Sequence, residues 1–419
     1  MAAPSRRLYG LGVILCAALL ACARISGPTG SPPYVITLGI AAVTYLCAIR
    51  EFTRTPKFPR YVIIVCLAMS AVWRVPYLRV GPGPQDDVLR YLWDGRVQRL
   101  GYNPYTVIPA DPAVAALHTE ETRQMNNPDL PSPYPAGSQL FFRAVTAIHE
   151  SAFAFKVAFA ACDLAIVLLL LAELRRTGRG EHWVLAYAWH PLTVTCVAYN
   201  GHIDILGVLL LLISAAALCR CRSSLAAIAF GLAVSVKFLP VVLAPLYWRR
   251  VRIRDGLLAA LLVGLLYVPF LQADSVPIGS LGTFVERFRF NDPIFAMLER
   301  AVRPQVAASL AVLFGLATAV WLRAKHSAFS LDVLAWPMAV TLAGAPVVYP
   351  WYLLWLVPFL QSTFTLPLMI WTLSILSVFF VWYSHAIGQP WQVPGWILLL
   401  EYGSVVAAAT IAWFFERFN

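Results

Sequence analysis

Asp86 and Asp87 stand side by side at the head of the run Gln85-Asp86-Asp87-Val88-Leu89-Arg90-Tyr91-Leu92-Trp93-Asp94-Gly95-Arg96, in a chain that is otherwise largely apolar. A carboxylate at the mouth of a membrane cavity can take the proton of a hydroxyl, while a neighbouring one keeps it oriented or holds a divalent cation. The same two acids also suit the first turn of a helix, where a side chain can cap free N–H groups and the dipole favours negative charge. Both readings stand on spacing alone. Asp87 is the candidate ligand for a divalent cation, Mg or Mn, the one cofactor the pair leaves open.

Other polar residues stand out against the apolar background. Lys237, in Lys237-Phe238-Leu239-Pro240, interrupts an apolar run, and a cation prepositioned there could stabilise a leaving phosphate. Its plain alternative is snorkelling to the nearer interface. His202 and Asp204, in Gly201-His202-Ile203-Asp204, could bind sugar hydroxyls or a metal, or could simply cap a helix that starts near Asp204. Tyr349, Trp351, Tyr352 and Trp355 form an aromatic turn able to stack a sugar face, although tryptophan belts are ordinary at membrane interfaces. Lys156, Asp163 and Glu401 lie within apolar runs and read as polar ties between helices, and His190-Pro191 reads as a kink with a satisfied histidine.

The elements that must position these residues are membrane helices. The 419 residues are 60% hydrophobic and 13% charged, with a mean hydropathy of +0.70, and apolar runs recur at about the 20 residues needed to cross a bilayer. Spans fall near 8–24, 33–49, 61–76, 151–172, 183–199, 203–219, 255–271, 305–322, 331–348, 350–361, 364–383 and 394–414, about twelve in all. The fold class is therefore an all-α polytopic bundle forming one integral-membrane domain over 1–419. The net charge of +11 sits in arginine clusters between apolar runs, which reads as a topology signal and not as a nucleic-acid surface. The N-terminal run resembles a secretory signal but, followed by so many spans, reads as a retained anchor. No cysteine lies in a long polar loop, which argues against a disulfide framework.

With both termini cytoplasmic, the clusters Arg50/Arg54/Lys57/Arg60, Arg175/Arg176/Arg179, Arg220/Arg222, Arg249/Arg250/Arg252/Arg254 and Arg323/Lys325 all face the cytoplasm of a plasma (inner) membrane. Leu225–Trp248 breaks this parity, because it is apolar yet flanked on both sides by arginines. Lys237, Pro240 and Pro245 interrupt it, so it is expected to be a re-entrant pair of half-helices with its apex near Lys237. Two long loops, 77–150 and 272–304, then fall on the extracytoplasmic side, and the first holds eight of the 21 acidic residues. Within it, Asp86–Leu100 has helical periodicity ended by Gly101-Tyr102-Asn103-Pro104, with Asp87, Arg90 and Asp94 on one face. Ser138–His149 is a second amphipathic stretch, expected in the interface plane. The second loop carries a basic-aromatic alternation, Glu286-Arg287-Phe288-Arg289-Phe290-Asn291-Asp292, which could touch an acceptor or a lipid phosphate.

Taken together, Asp86-Asp87 with Arg90-Tyr91-Leu92-Trp93-Asp94-Gly95-Arg96, Gly101-Tyr102-Asn103-Pro104-Tyr105, Asn126-Asn127-Pro128 and Tyr134-Pro135 resemble the first extracytoplasmic loop of GT-C superfamily glycosyltransferases. The resemblance is to bacterial polyprenyl-phosphate-mannose-dependent mannosyltransferase-like proteins. It extends through His190-Pro191-Leu192, Gly201-His202-Ile203-Asp204, Lys237-Phe238-Leu239-Pro240 and Tyr349-Pro350-Trp351-Tyr352, from about 80 to 360. It implies inverting transfer of a sugar, expected to be mannose, from a polyprenyl-phosphate donor in the membrane lipid to a glycan or glycolipid acceptor. Asp86 or Asp87 is the expected base, Lys237 and Arg90 the phosphate-binding cations, and Asp94, Arg96, His202, Asp204, Tyr349, Trp351 and Tyr352 the substrate-binding residues. The alternative is a secondary transporter or flippase for a lipid-linked sugar, but no internal repeat is visible and the polar residues crowd one face.

Overall fold

The structure, a computed structural model, describes residues 3–25, 29–83, 85–272, 277–326 and 329–418, so the part of the second loop at 273–276 lies outside it. Helices dominate, and an isolated β-bridge joins Phe290 to Val347 in parallel. In chain order the main helices are α1 (Ala3–Cys22), α2 (Pro32–Arg54), α3 (Arg60–Leu78), α4 (Asp87–Arg99), α5 (Ala136–Ile148), α6 (Ala152–Arg176), α7 (Asp204–Cys219) and α8 (Ser223–Val236). They are followed by α9 (Ile253–Leu266), α10 (Leu281–Arg287), α11 (Pro293–Glu299), α12 (Pro304–Lys325), α13 (Leu331–Ala343), α14 (Leu366–Ala386) and α15 (Gly395–Phe418).

Eight of these segments are, among the described residues, long and apolar enough to cross a membrane: those at α1, α2, α3, α6, α9, α12, α14 and α15. The runs at α7, α13 and Pro350–Phe359 are helical but shorter. The predicted span at 183–199 is not one helix. Its proline and polar groups divide it into Glu181–Trp183, Val184–Ala188, Pro191–Thr193 and a π-turn at Val194–Tyr199, and this irregular backbone is buried in protein, the condition for tolerating it at depth. His190 begins the third piece with both ring nitrogens engaged, Nδ1 accepting from Leu192 N at 3.2 Å and Nε2 lying 3.0 Å from Thr372 Oγ1.

Between helices in lipid, packing and polar contacts do the work that the hydrophobic effect does in water. Asp163 of α6 is such a tie, and its partner is Arg74 of α3, at 2.8 Å, together with the Tyr187 hydroxyl at 2.7 Å. Arg74 also donates to Ala188 O, so α3, α6 and the broken segment are pinned at one point. Lys156, one turn-pair earlier on α6, does not share this tie. It donates to Val80 O at 2.8 Å and so holds the end of α3 where the acidic loop begins.

The arginine-bearing turns interlock at one end of the bundle. Arg60 and Arg175 meet Glu181, Arg220 meets Glu173, Arg179 donates to Gln361 O, and Arg323 donates to Trp248 O. Leu225–Trp248 leaves and returns at this same end, because Arg252 N donates to Ser223 Oγ at 2.8 Å. In between, α8 stops at Lys237, whose backbone is extended (φ −156°, ψ 141°), and the chain returns through short turns at Leu239–Leu243 and Ala244–Tyr247 that carry Pro240 and Pro245. The expected hairpin geometry is thus present, with Lys237 at its apex.

At the opposite end α4 and α5 cap the bundle. They cross closely at Gly95, where a Cβ would lie 2.5 Å from Phe142 O, so only glycine lets the helices approach. Gln98 of α4 donates to the Gln139 side chain at 2.9 Å, and Ser138 of α5 donates to Val236 O at 2.8 Å, which fixes both helices over the hairpin apex. α4 is buried on nearly all sides, including Arg90 and Asp94, and not only along its apolar stripe.

Candidate active site

One cavity of about 710 Å³ opens at the capped end, and Asp86, Asp87, His202, Asp204, Lys237, Tyr349, Trp351 and Tyr352 all reach it. These residues come from four separate segments: the start of α4, the turn before α7, the hairpin apex and the turn at 349–352.

Asp86 occupies the N-cap position of α4, yet its side chain makes no capping bond. The carboxylate turns back, and Oδ2 accepts from Gly83 N at 2.7 Å. This is its single hydrogen bond to protein among the described residues. Burial pushes its pKa up to about 6, against the opposing pull of the Gly83 N–H and the charge of His202. Such a carboxylate is mostly ionised near neutrality and binds a proton more readily than an ordinary aspartate.

Asp87, in the first turn, is engaged on both oxygens. Oδ1 accepts from Asn126 Nδ2 at 2.7 Å, and Oδ2 lies 3.5 Å from His202 Nδ1, long for a hydrogen bond but within ion-pair range. Burial works to raise its pKa, but His202, Asn126 and the charge of Lys237 outweigh burial and hold it below the usual value. The two neighbours are therefore driven apart, one toward proton acceptance and the other toward a fixed negative charge.

His202 is 3% exposed, and both ring nitrogens lack a hydrogen-bond partner. Its ring stacks on Trp351 (centroids 3.9 Å apart, 13° between planes), which in turn stacks on Tyr349 at 4.5 Å. Asp204 does not cap α7. It is 1% exposed, and Oδ1 accepts from Lys237 Nζ at 2.7 Å and from Trp355 Nε1 at 2.8 Å. Lys237 Nζ also lies 3.8 Å from the centre of the Tyr352 ring, a cation–π contact. The lysine has not snorkelled away; it faces the cavity with its charge already balanced by Asp204.

Arg90 touches the cavity wall, but its guanidinium is occupied by Asp94 Oδ1 at 3.0 Å and Leu130 O at 2.9 Å. Asp94 is fully buried and also accepts from Ser132 and Gln139, so this group braces the loop that carries Asn126. Arg96 is farther off still, donating to Leu117 O and pairing with Glu150. Asp94 and Arg96 do not line the cavity. They hold the first loop in shape, which follows from their position on the buried helix α4.

Three contributors were less visible in the sequence. Asn126 was legible only as part of an Asn-Asn-Pro motif. Trp382, His385 and Trp391 line the far wall from a stretch with no polar signature of its own. Arg287 reaches the cavity from the end of α10, and among the described residues it makes no ion pair or hydrogen bond through its side chain. Its neighbour Arg289 is bound to Glu299. Among the described residues, no group of three or more His, Cys, Asp or Glu side chains is arranged to hold a metal ion. Asp87, the expected ligand, accepts from Asn126 and lies beside His202.

Searches of curated proteins and of solved structures return no match. A family model described as alpha-(1->6)-mannopyranosyltransferase, N-terminal domain, matches residues 28–251, just over half of the chain and the part that holds Asp86, Asp87, His202, Asp204 and Lys237. With its apolar helices and this cavity, the chain belongs to the alpha-(1->6)-mannopyranosyltransferase family and is a multi-pass membrane mannosyltransferase.

Proposed function

We propose that the protein transfers mannose from a polyprenyl-phosphate donor to a hydroxyl of a glycan or glycolipid acceptor, with inversion, at the extracytoplasmic face. The observation that carries this reading is the convergence in one cavity of Asp86, a carboxylate with one oxygen that accepts from no donor among the described residues, and a loop cation, Arg287, with no ion-pair partner among them. Asp86 takes the proton of the acceptor hydroxyl as its oxygen attacks the anomeric carbon. The bond from that carbon to the phosphate oxygen breaks, and polyprenyl phosphate leaves with its negative charge. Arg287 faces that charge, and Lys237, held by Asp204, turns its N–H donors toward the same cavity.

The sugar is held by the stack of His202, Trp351 and Tyr349, whose flat faces suit a pyranose ring, while His202 Nε2, without a hydrogen bond among the described residues, suits a hydroxyl. The family name supports an α-1,6 linkage, which a β-linked donor yields on inversion. Phe238, Leu239, Phe284 and Phe288 form an apolar flank beside Arg287, suited to an isoprenoid chain reaching in from the bilayer. The interlocked arginine turns at the opposite end support a cytoplasmic location for that end by the positive-inside rule.

Reconstituted protein incubated with radiolabelled polyprenyl-phosphate sugars tests this directly. Mannose is expected to move to acceptor, and Asp86→Asn is expected to slow it at least about a hundredfold without changing the melting temperature. Turnover within a few-fold of wild type in Asp86→Asn would refute the assignment. Labelling of single cysteines at Tyr102 and Arg222 from outside the cell tests the orientation; access at Arg222 alone would reverse it.

A further inference from the structure

α15 lies beyond the family match, and its membrane-facing surface is largely exposed, yet Glu401 on it is completely buried. A carboxyl group so placed needs partners, and here each of them is a neutral donor. Trp371 Nε1 of α14 donates to it at 2.6 Å, and Asn291 Nδ2 lies 3.1 Å from each of its oxygens. The next residue, Tyr402, donates its hydroxyl to Asn291 O at 3.1 Å. Asn291 has a left-handed backbone (φ 53°), a conformation that Asn and Asp tolerate better than most residues.

What hangs on Asn291 is the wall of the cavity. Its side chain also points to Val348 O at 3.3 Å, while Phe290 N donates to Pro346 O and Val348 N donates to Phe290 O. These bonds tie the segment after Arg287 to the segment that continues into Tyr349 and Trp351. Phe290 then packs on Tyr349, with centroids 4.7 Å apart. The loop cation and the aromatic stack are thus joined to each other and, through Asn291, to Glu401.

We propose that Glu401 is a positioning residue that fixes the second loop and the 349–352 turn against the cavity, so that the last helix acts as a brace for the substrate wall. Its kinetic consequence rests on the transferase reading above; its structural consequence does not.

Trypsin digestion in lipid nanodiscs reads the brace without any activity. Cleavage after Arg287 and Arg289 is compared with cleavage after Arg123, exposed on the first loop. Glu401→Leu and Asn291→Asp each remove the donor–acceptor match and are expected to raise the ratio about tenfold, as the loss of one buried hydrogen-bonded pair predicts. The double variant Asn291→Asp with Glu401→Gln reverses donor and acceptor, and is expected to return the ratio toward wild type. In transfer assays the single variants are expected to raise KM for the donor about tenfold, with kcat within about threefold, because Asp86 and Asp87 are held by other contacts. An unchanged ratio, equal acceleration at Arg123, or a double variant no better than the singles would overturn the proposal. If wild type transfers no mannose, the function fails while the digestion still decides the brace.

Discussion

The sharpest consequence of the geometry is a pH dependence that belongs to Asp86 alone. With the base at a pKa of about 6, roughly nine-tenths of the enzyme carries the ionised carboxylate at pH 7 and roughly one-tenth at pH 5. The value of kcat/KM is therefore expected to fall about tenfold between these two pH values, and to level off above pH 7. An aspartate at the ordinary 3.8 would lose less than about a tenth over the same interval. The sign follows from the role, because a base must be deprotonated to act, so activity is lost as pH falls through the raised pKa. Initial rates of mannose transfer from polyprenyl-phosphate mannose, measured at constant ionic strength from pH 4.5 to 8, give the profile. Asp86→Asn is expected to lower kcat by about two to four orders of magnitude, the usual range for loss of a general base, and to flatten the acid limb of what remains. A flat wild-type profile, or an acid limb that survives in Asp86→Asn, would refute the assignment of the proton to this residue.

Removing Lys237 is expected to harm the fold as much as the chemistry. Lys237→Met leaves the buried Asp204 without its cation, which costs roughly 3–5 kcal/mol, and Lys237→Met with Asp204→Asn should recover most of the loss; melting temperatures in detergent decide it, and a single variant as stable as wild type would contradict the pairing. Arg287→Gln is expected to raise KM for the donor by one to two orders of magnitude, the value of a charge-assisted bond of roughly 1.5–3 kcal/mol, with Arg287→Lys in between. An unchanged KM would remove Arg287 from the donor site. Gly207→Ala would set a Cβ 2.2 Å from the buried Trp355 ring, which cannot easily move. The resulting strain is expected to lower stability by roughly 1–3 kcal/mol and to disturb the Trp355 bond to Asp204, visible as a shift in melting temperature.

Much of this fold is legible in the sequence because long apolar runs have one solution in a bilayer. The acidic helix was readable to within a residue at each end, with Gly101 closing it as expected. The segment 183–199 misled because hydropathy measures only whether a stretch is apolar. A buried chain of turns around His190-Pro191 scores as a spanning helix does. The lining of the candidate cavity was readable where motif and topology agreed, at Asp86, Asp87, His202, Asp204 and Lys237. What spacing does not tell is whether a partner uses a charge up or leaves it facing the cavity. Arg90 and Lys237 look alike in sequence, but the first is consumed by Asp94 and two loop carbonyls, and the second keeps a cavity face because Asp204 balances it from one side. Pairings across 33 residues, as between Asp204 and Lys237, leave no periodic trace.

The distribution of these residues along the chain separates two jobs. The titratable groups that converge on the cavity around Asp86, namely Asp87, His202, Asp204 and Lys237, all fall with it within 28–251, the family-matched part. The loop cation and most of the aromatic wall, from Arg287 to Trp391, come from the remainder and are fastened by Glu401. Asp86 and Asp87 take their hydrogen bonds from Gly83 and Asn126, within the matched part, whereas Asp204, His202 and Lys237 each touch the second group through Trp355, Trp351 and Tyr352. Under the proposed mechanism, proton transfer at Asp86 is thus the step least exposed to changes in the C-terminal wall. Under the proposed roles, substitutions at Asp86 should therefore act on kcat and those at Arg287 and in the C-terminal aromatic wall on KM, so that donor and acceptor preference could diverge within the family around an unchanged proposed base.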